Sequence, residues 1–317
     1  MAQRTPRRTA FQRKNNPRDP YVYLFVEGEW YCYDPSTEPL GEGAMGIVWQ
    51  GYRVNTGEKV AVKKVKERFQ NVRIIRDRAQ LEATMAFRHP NLIEMIGCCM
   101  LFPGAQEGPV WLVSNFVEGQ EIDKFLAHVP EGEAKQTFIC KAMCQVLDAL
   151  GYIHSKGITH RDIKPSNIMV EKEANVRLMD MGIARVSGGN RVTFAGSFIG
   201  TPQYAAPEQI SGQSINAATD IYALGITFYE LLTGINPFDG ESSSGDMDNE
   251  LFLNEHLSMV LPPNTNVPKR LYQVLLKATD ASQAKRYQNA AEFRMAIQQA
   301  MTAPTTIWER IRNLFAR

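Results

Sequence analysis

Apolar and polar positions alternate through the first third of the chain. Tyr21–Val26 and Glu29–Tyr33 are aromatic-rich runs separated by Glu27-Gly28, which predicts two strands and a tight turn. Gly46–Val54 and Lys59–Val65 predict a second hairpin, turning at Asn55-Thr56-Gly57-Glu58. A helical pattern covers 72–87, and strand character returns at 91–101 and 110–117, with Pro103, Gly104, Gly108 and Pro109 in the intervening loop. After Gly119 the period changes. Helices are predicted near 121–128, 133–156, 216–234, 268–279 and 288–301, with short strands at 167–170 and 176–179. This segregation of strands and helices predicts an α+β chain of two lobes with a cleft between them.

The ends differ from the middle. Residues 1–20 hold six basic side chains (Arg4, Arg7, Arg8, Arg13, Lys14, Arg18), one acid, Asp19, and few large apolar groups. They read as a flexible basic arm. Residues 240–250 read as an acidic loop. Residues 303–317 are amphipathic, with Ile307, Trp308, Ile311, Leu314 and Phe315 on one helical face. That face suits packing on the C-terminal lobe, the favoured reading, or contact with a partner or a membrane surface.

Composition narrows the class. The chain has 317 residues, 44% of them hydrophobic, enough for one large domain or two smaller ones. Basic and acidic residues number 35 and 34, so no overall field argues for nucleic acid, and no nucleic-acid partner is expected. No run of about 18 apolar residues predicts a membrane span, and the basic start lacks the apolar core of a secretory signal. Five cysteines without a CxxC pair point to reduced thiols and a cytoplasmic location, and disfavour a zinc site.

Four motifs carry chemistry. Gly41-Glu-Gly43-Ala-Met-Gly46-Ile-Val48 has glycines spaced so that backbone can approach a phosphate, and strand rather than helix follows it, which disfavours a dinucleotide fold. Lys63 closes the apolar run Val60-Ala61-Val62 and needs an anionic partner or an escape to water. His160-Arg-Asp162-Ile-Lys164-Pro-Ser-Asn167 places a carboxylate, a cation and a carboxamide in one short loop. Asp162 could accept a hydroxyl proton, Lys164 could neutralise a transferring phosphate, and Asn167 could ligate a metal. Asp180-Met181-Gly182 follows a short apolar strand and suits a metal-ligating turn.

In this order, and followed by Ala206-Pro207-Glu208, these motifs resemble the signature of a eukaryotic-type (Hanks-type) serine/threonine protein kinase, most like the bacterial branch, over roughly residues 31–300. The resemblance implies a bilobal kinase fold: an N-lobe at 21–117 with a small antiparallel sheet, the Gly-rich loop and helix C, and a mainly helical C-lobe at 118–302 with the catalytic loop and activation segment. It implies transfer of the γ-phosphate of ATP, with Mg²⁺, to Ser or Thr hydroxyls of a protein substrate. The alternative is a pseudokinase or ATP-binding interaction scaffold. Gly41, Gly43 and Gly46 would cover the phosphates, Val48 and Ala61 would sandwich adenine, and Lys63 would bind the α- and β-phosphates. The backbone at Asn115 and Val117 would meet adenine beyond a small gatekeeper, Ser114, and Glu121 would reach the ribose or a basic substrate residue. Asp162 would be the catalytic base, with Asn167 and Asp180 holding Mg²⁺. Lys164 two residues after Asp162 is the serine/threonine pattern. Glu208 would pair with Arg286, and Asp220 would anchor the catalytic loop.

Two departures stand out. Met181 replaces the usual Phe after the metal-binding Asp. Counting back from His89-Pro90-Asn91 puts Gln80 where helix C should present a glutamate to Lys63. Helical periodicity instead places Glu82 inside the apolar face of Ile74, Ile75, Ala79, Leu81, Met85 and Ala86, and Gln80 on the polar side. A carboxylate in that stripe needs a cation. Lys63 is favoured over Arg78, so Glu82 is the expected partner. Arg161 before the catalytic Asp implies a phosphorylated activation loop as its partner, with Thr193 and Ser197 as the expected autophosphorylation sites. Thr201 is expected to contact the catalytic Asp instead.

Overall fold

Alternation in the first third does become strands. The structure is a computed structural model and describes residues 11–12, 19–43, 46–70, 87–100, 108–180, 202–239 and 249–302. Residues 1–121, 160–162 and 166–193 form one compact unit, and residues 122–159, 163–165 and 194–317 form the other.

The first unit is built on strands β1 (Phe11–Gln12), β2 (Val22–Val26), β3 (Glu29–Tyr33), β4 (Gly41–Glu42), β5 (Gly46–Arg53), β6 (Lys59–Val65), β7 (Met95–Met100) and β8 (Val110–Asn115). They pair antiparallel in the order β1-β2-β3-β5-β6-β8-β7, with β4 on β5. A short helix, α1 (Glu67–Gln70), follows β6. A second sheet orders β11 (Val176–Leu178), β10 (Ile168–Glu171) and β9 (Gly119–Glu121). The predicted helix over 72–87 lies, apart from Phe87, outside the described residues. Within the arm at 1–20, Phe11 and Gln12 are not loose: they pair with Leu24 and Tyr23 along the edge of β2. A strand edge leaves backbone donors and acceptors open to such pairing whatever the added segment's composition, which is why composition alone missed it.

Register gives the main sheet two distinct faces. Val48 pairs with Lys63, Lys63 with Leu112, and Ala61 with Ser114, so these side chains share one face. Trp49, Val62 and Val113 line up on the other. The β2–β3 hairpin covers that second face with Leu24, Val26, Tyr31 and Tyr33, all at most 2% exposed. Inside this core Trp111 Nε1 donates to the Tyr33 hydroxyl at 3.0 Å. Gly51 is a packing requirement there, because a Cβ would stand 2.8 Å from the Cys32 carbonyl oxygen and from Val62.

The second unit is mainly helical: α2 (Ile122–Leu126), α3 (Glu133–His154), α4 (Pro207–Ile210), α5 (Ala217–Thr233), α6 (Asn249–Ser258), α7 (Lys269–Ala278) and α8 (Ala290–Thr302). Ile139, Met143, Val146, Leu150 and Ile153 give α3 one buried stripe at helical spacing. Helix α5 is buried on nearly every side, as its almost unbroken apolar sequence requires. Asn216 caps its start by accepting from Ala218 N, and Gly234, at φ 73°, ends it in the left-handed conformation. No described helix is long and apolar enough to cross a membrane. The amphipathic segment 303–317 lies outside the described residues.

Candidate active site

The first unit brings together the chemistry that the sequence spreads over more than a hundred residues. Lys63 Nζ lies 2.8 Å from Asp180 Oδ2. Strand β6 aims the lysine, and the end of β11 places the aspartate. That end is fixed by Met179 N donating to the Asn167 carbonyl at 2.8 Å, and by the ring of His160 lying 2.8 Å from the Met179 carbonyl. Ile93 N donates to the Leu178 carbonyl and Leu178 N to the Asn91 carbonyl, which ties β11 to the segment before β7. Asp180 itself has φ 39° and Arg161 has φ 70°, left-handed conformations that side chains seldom adopt and that the surrounding bonds must enforce.

Asn167 is buried, and its Nδ2 donates to the Asp162 carbonyl at 2.7 Å and to Asp162 Oδ2 at 3.0 Å. An amide nitrogen has two hydrogens, so both are spent on Asp162 and Oδ1 remains as an acceptor. The Asn167 amide oxygen and the Asp180 carboxylate, the two positions the resemblance implies for Mg²⁺, are both hard oxygen donors of the kind that ion takes.

The Gly-rich segment is a hairpin tip. Gly41 pairs with Val48, Glu42 with Ile47, and Gly43 N donates to the Gly46 carbonyl at 2.9 Å. The three glycines are not equivalent. A Cβ on Gly46 would stand 2.8 Å from the Lys64 carbonyl, so packing demands that glycine. Among the described residues nothing lies within 4 Å of a Cβ built on Gly41, and only the Gly46 carbonyl, at 4.0 Å, approaches one on Gly43. Glu42, between them, is paired with Lys66 at 2.6 Å, a contact the motif reading missed. Farther along, Asn115 N donates to the Glu94 carbonyl at 3.0 Å, Val117 is buried, and Glu121 lies in β9 opposite Met169. Lys164 belongs to the second unit.

In that second unit Arg286 Nη1 and Nη2 meet the two carboxylate oxygens of Glu208 at 2.7 and 3.0 Å. Burial alone would raise the Glu208 pKa, but the Arg286 hydrogen bonds and charge, with Thr219, hold it below the ordinary carboxylate value. Asp220, fully buried, meets His154 Nε2 at 2.7 Å. The role of His154 was missed, and the sequence trace is a histidine at the end of the apolar stripe of α3. Glu82, Gln80, Met181, Thr193, Ser197 and Thr201 lie outside the described residues.

Comparison with known proteins accords with this arrangement. The protein kinase domain family matches residues 35–303. The serine/threonine-protein kinase pkn3 of Myxococcus xanthus is 31% identical over 288 residues, covering 86% of this chain and 50% of the relative. PrkC of Bacillus subtilis is 30% identical over 270 residues, covering 83% of this chain and 40% of the relative. The chain therefore spans about half or less of the length of these curated relatives. Among solved structures, the PknI kinase domain of Mycobacterium tuberculosis aligns with a TM-score of 0.63 at 23% identity, covering 89% of this chain and 96% of that one, a likeness of fold. With the motifs in order, the antiparallel sheet and helical remainder in place, and most of its length matched, this chain belongs to the protein kinase family.

Proposed function

We propose that the chain is a serine/threonine protein kinase, transferring the γ-phosphate of ATP to Ser and Thr hydroxyls of proteins. The observation that carries this reading is the convergence of Lys63 with Asp180, and of Asn167 with Asp162, within one compact unit. Asp162 is assigned as the base that orients the hydroxyl and receives its proton. Its fixed partner Asn167 holds it in register. Lys63 is assigned to the α- and β-phosphates. Gly41 and Gly43, where no described residue comes closer than 4.0 Å to a built Cβ, leave room for backbone to approach the triphosphate. Val48 and Ala61, on the same sheet face as Lys63, are assigned to the adenine with the Asn115 and Val117 backbone, and Glu121 to the ribose or a basic substrate residue. Asn167 and Asp180 would hold Mg²⁺, which when bound supplies charge neutralisation at the phosphates. Lys164 is assigned to the transferring phosphate, and Glu82 to Lys63. Thr193 and Ser197 are assigned as autophosphorylation sites that raise activity, the added phosphate being drawn toward the Arg161 cation.

The test is phosphate transfer from radiolabelled Mg-ATP to casein by the full chain, followed by phosphoamino-acid analysis. Phosphoserine and phosphothreonine are expected, with at least about a 100-fold drop for Asp162→Asn and retained ATP binding. ATP binding without any transfer by the wild type would make the chain a scaffold instead.

A further inference from the structure

Asp180 follows β11, and β11 is stitched to the segment that leads into β7. Leu178 N donates to the Asn91 carbonyl at 2.9 Å, and Ile93 N donates to the Leu178 carbonyl at 3.0 Å. These two bonds make a parallel bridge between Leu92 and Leu178, both at most 1% exposed. A side chain crosses the bridge from each side. Asn91 Nδ2 donates to the Val176 carbonyl at 2.8 Å and to Asn175 Oδ1 at 3.3 Å. Arg177 reaches the other way, its Nη1 donating to the Leu92 carbonyl at 3.3 Å and its Nε to Glu171 Oε2 at 2.8 Å. Asn175 Nδ2 donates to the same Glu171 oxygen at 2.6 Å. Asn91, Asn175, Glu171 and Arg177 form one run of contacts that starts and ends on residues 91–92.

The far end of that segment is tied as well. Asn115 N donates to the Glu94 carbonyl at 3.0 Å, and Asn115 Nδ2 to Glu94 Oε2 at 3.1 Å. Residues 91–94 therefore join the end of β8 to the strand that presents Asp180. Leu92 and Leu178 alone would not fix that strand, because apolar contact has no direction. A slide of one residue would carry Asp180 about 3.3 Å along the strand. The contact with Lys63, at 2.8 Å, would not survive it. Hydrogen bonds are directional, and Asn91 is only 7% exposed, so a bond left unmade there is costly. Asp180 also stands at φ 39°, a conformation that its surroundings must hold.

We infer that Asn91 and Arg177 are positioning residues for Asp180. Each bonds the backbone of the other's segment across the Leu92–Leu178 bridge, and together they set where the carboxylate stands relative to Lys63 and to Asn115. The inference rests on the proposed kinase activity, with Asp180 as a holder of Mg²⁺. Both side chains act through β11 and not on nucleotide or metal.

The experiment compares wild type, Asn91→Ala, Arg177→Met and Arg177→Lys in the full chain. In transfer to casein, the Mg²⁺ concentration at half-maximal rate is expected to rise about fivefold in Asn91→Ala, the size of one lost neutral hydrogen bond, with the casein KM unchanged. Arg177→Met should shift it in the same direction. Arg177→Lys, which keeps a cation for Glu171, should recover part of that loss. In hydrogen–deuterium exchange of the metal-free protein, amides of 91–95 and 176–180 should exchange faster in Asn91→Ala and Arg177→Met, while those of β5 and α3 do not. An unchanged Mg²⁺ requirement overturns the inference whatever the exchange shows, because the bridge would then be structural only. An equal rise in the casein KM, or faster exchange throughout the protein, also overturns it. Should Asn91→Ala fail to fold, Arg177→Met, at a side chain 30% exposed, carries both readouts. A wild type that transfers no phosphate would sink the proposed activity, yet the exchange measurement would still decide whether these two side chains hold β11.

Discussion

Lys63 and Asp180 are 117 positions apart in the chain, yet their ammonium and carboxylate meet at 2.8 Å. The lysine side chain is 23% exposed and the aspartate 48%, so the pair is partly wet. Such pairs contribute only about 0–1 kcal/mol to folding. Removing either partner should therefore cost function and not stability. Lys63→Met and Asp180→Asn are each expected to melt within a few degrees of wild type and to lose about 100-fold or more in transfer rate. Calorimetry alongside the casein assay checks this. A large drop in melting temperature would make the pair structural.

Glu42 stands between the two open glycines of the hairpin tip, and Lys66 neutralises it at 2.6 Å. A bare carboxylate in a segment that approaches a triphosphate would repel it. Lys66→Gln should raise the ATP KM several-fold at low salt, with kcat little changed, and the difference should fade as salt screens the unpaired charge. Glu42→Gln should leave the ATP KM equal or lower. ATP titrations at two ionic strengths distinguish these outcomes. A Lys66→Gln defect that persists undiminished at high salt would point to lost packing rather than lost charge.

How much of this was legible in the sequence depends on the kind of residue. Gly41, Lys63, Asp162, Asn167 and Asp180 stand out because the phosphate chemistry proposed for them restricts both residue type and spacing, and the structure brings Lys63 to Asp180 and Asn167 to Asp162. The strands at 22–26, 29–33, 46–53 and 59–65 follow period-two alternation closely. His154 and Lys66 gave no such signal. Each acts through a neighbour distant in sequence, and a lone histidine or lysine has no preferred spacing to that neighbour. Of the glycines, the motif treated Gly41, Gly43 and Gly46 as one set, whereas Gly46 is fixed by the carbonyl of Lys64 and no described residue presses on the other two. Only packing could separate them.

Glu208 and Arg286 tie stability to pH. Both are almost wholly buried, and the carboxyl is held below its ordinary value of 4.5. A depressed carboxyl pKa adds stability that is present above the unfolded-state value and is lost as pH falls through the folded-state value. Glu208→Gln leaves Arg286 buried with no counter-charge, and such breaks cost about 3–5 kcal/mol. The deficit of the variant should be largest near neutral pH and should shrink below about pH 4.5, as the wild-type carboxylate itself takes up a proton. Urea unfolding from pH 3 to pH 8 measures it. A deficit constant across that range would show that the cost is not the charge.

The β2–β3 hairpin raises a different question, since it precedes residue 35, where the family match begins. Strands β5, β6 and β8 carry Val48, Ala61 and Lys63 on one face, and something must cover Trp49, Val60, Val62, Trp111 and Val113 on the other. Here the hairpin does so, and across that buried face Trp111 Nε1 donates to the Tyr33 hydroxyl. Tyr33→Phe takes the hydroxyl acceptor away from that indole N–H in a site where Trp111 is only 3% exposed, a loss of about 1–3 kcal/mol. Leu24→Ala, at a fully buried position facing Tyr31, should cost about 2–5 kcal/mol by leaving a cavity. Both variants should retain the ATP KM of wild type while folded, because Lys63 and Val48 lie on the opposite face. Urea midpoints together with ATP titrations check the two statements. Unchanged midpoints would mean that the hairpin is an appendage, and a raised ATP KM in a stable variant would mean that it shapes the nucleotide face through the sheet.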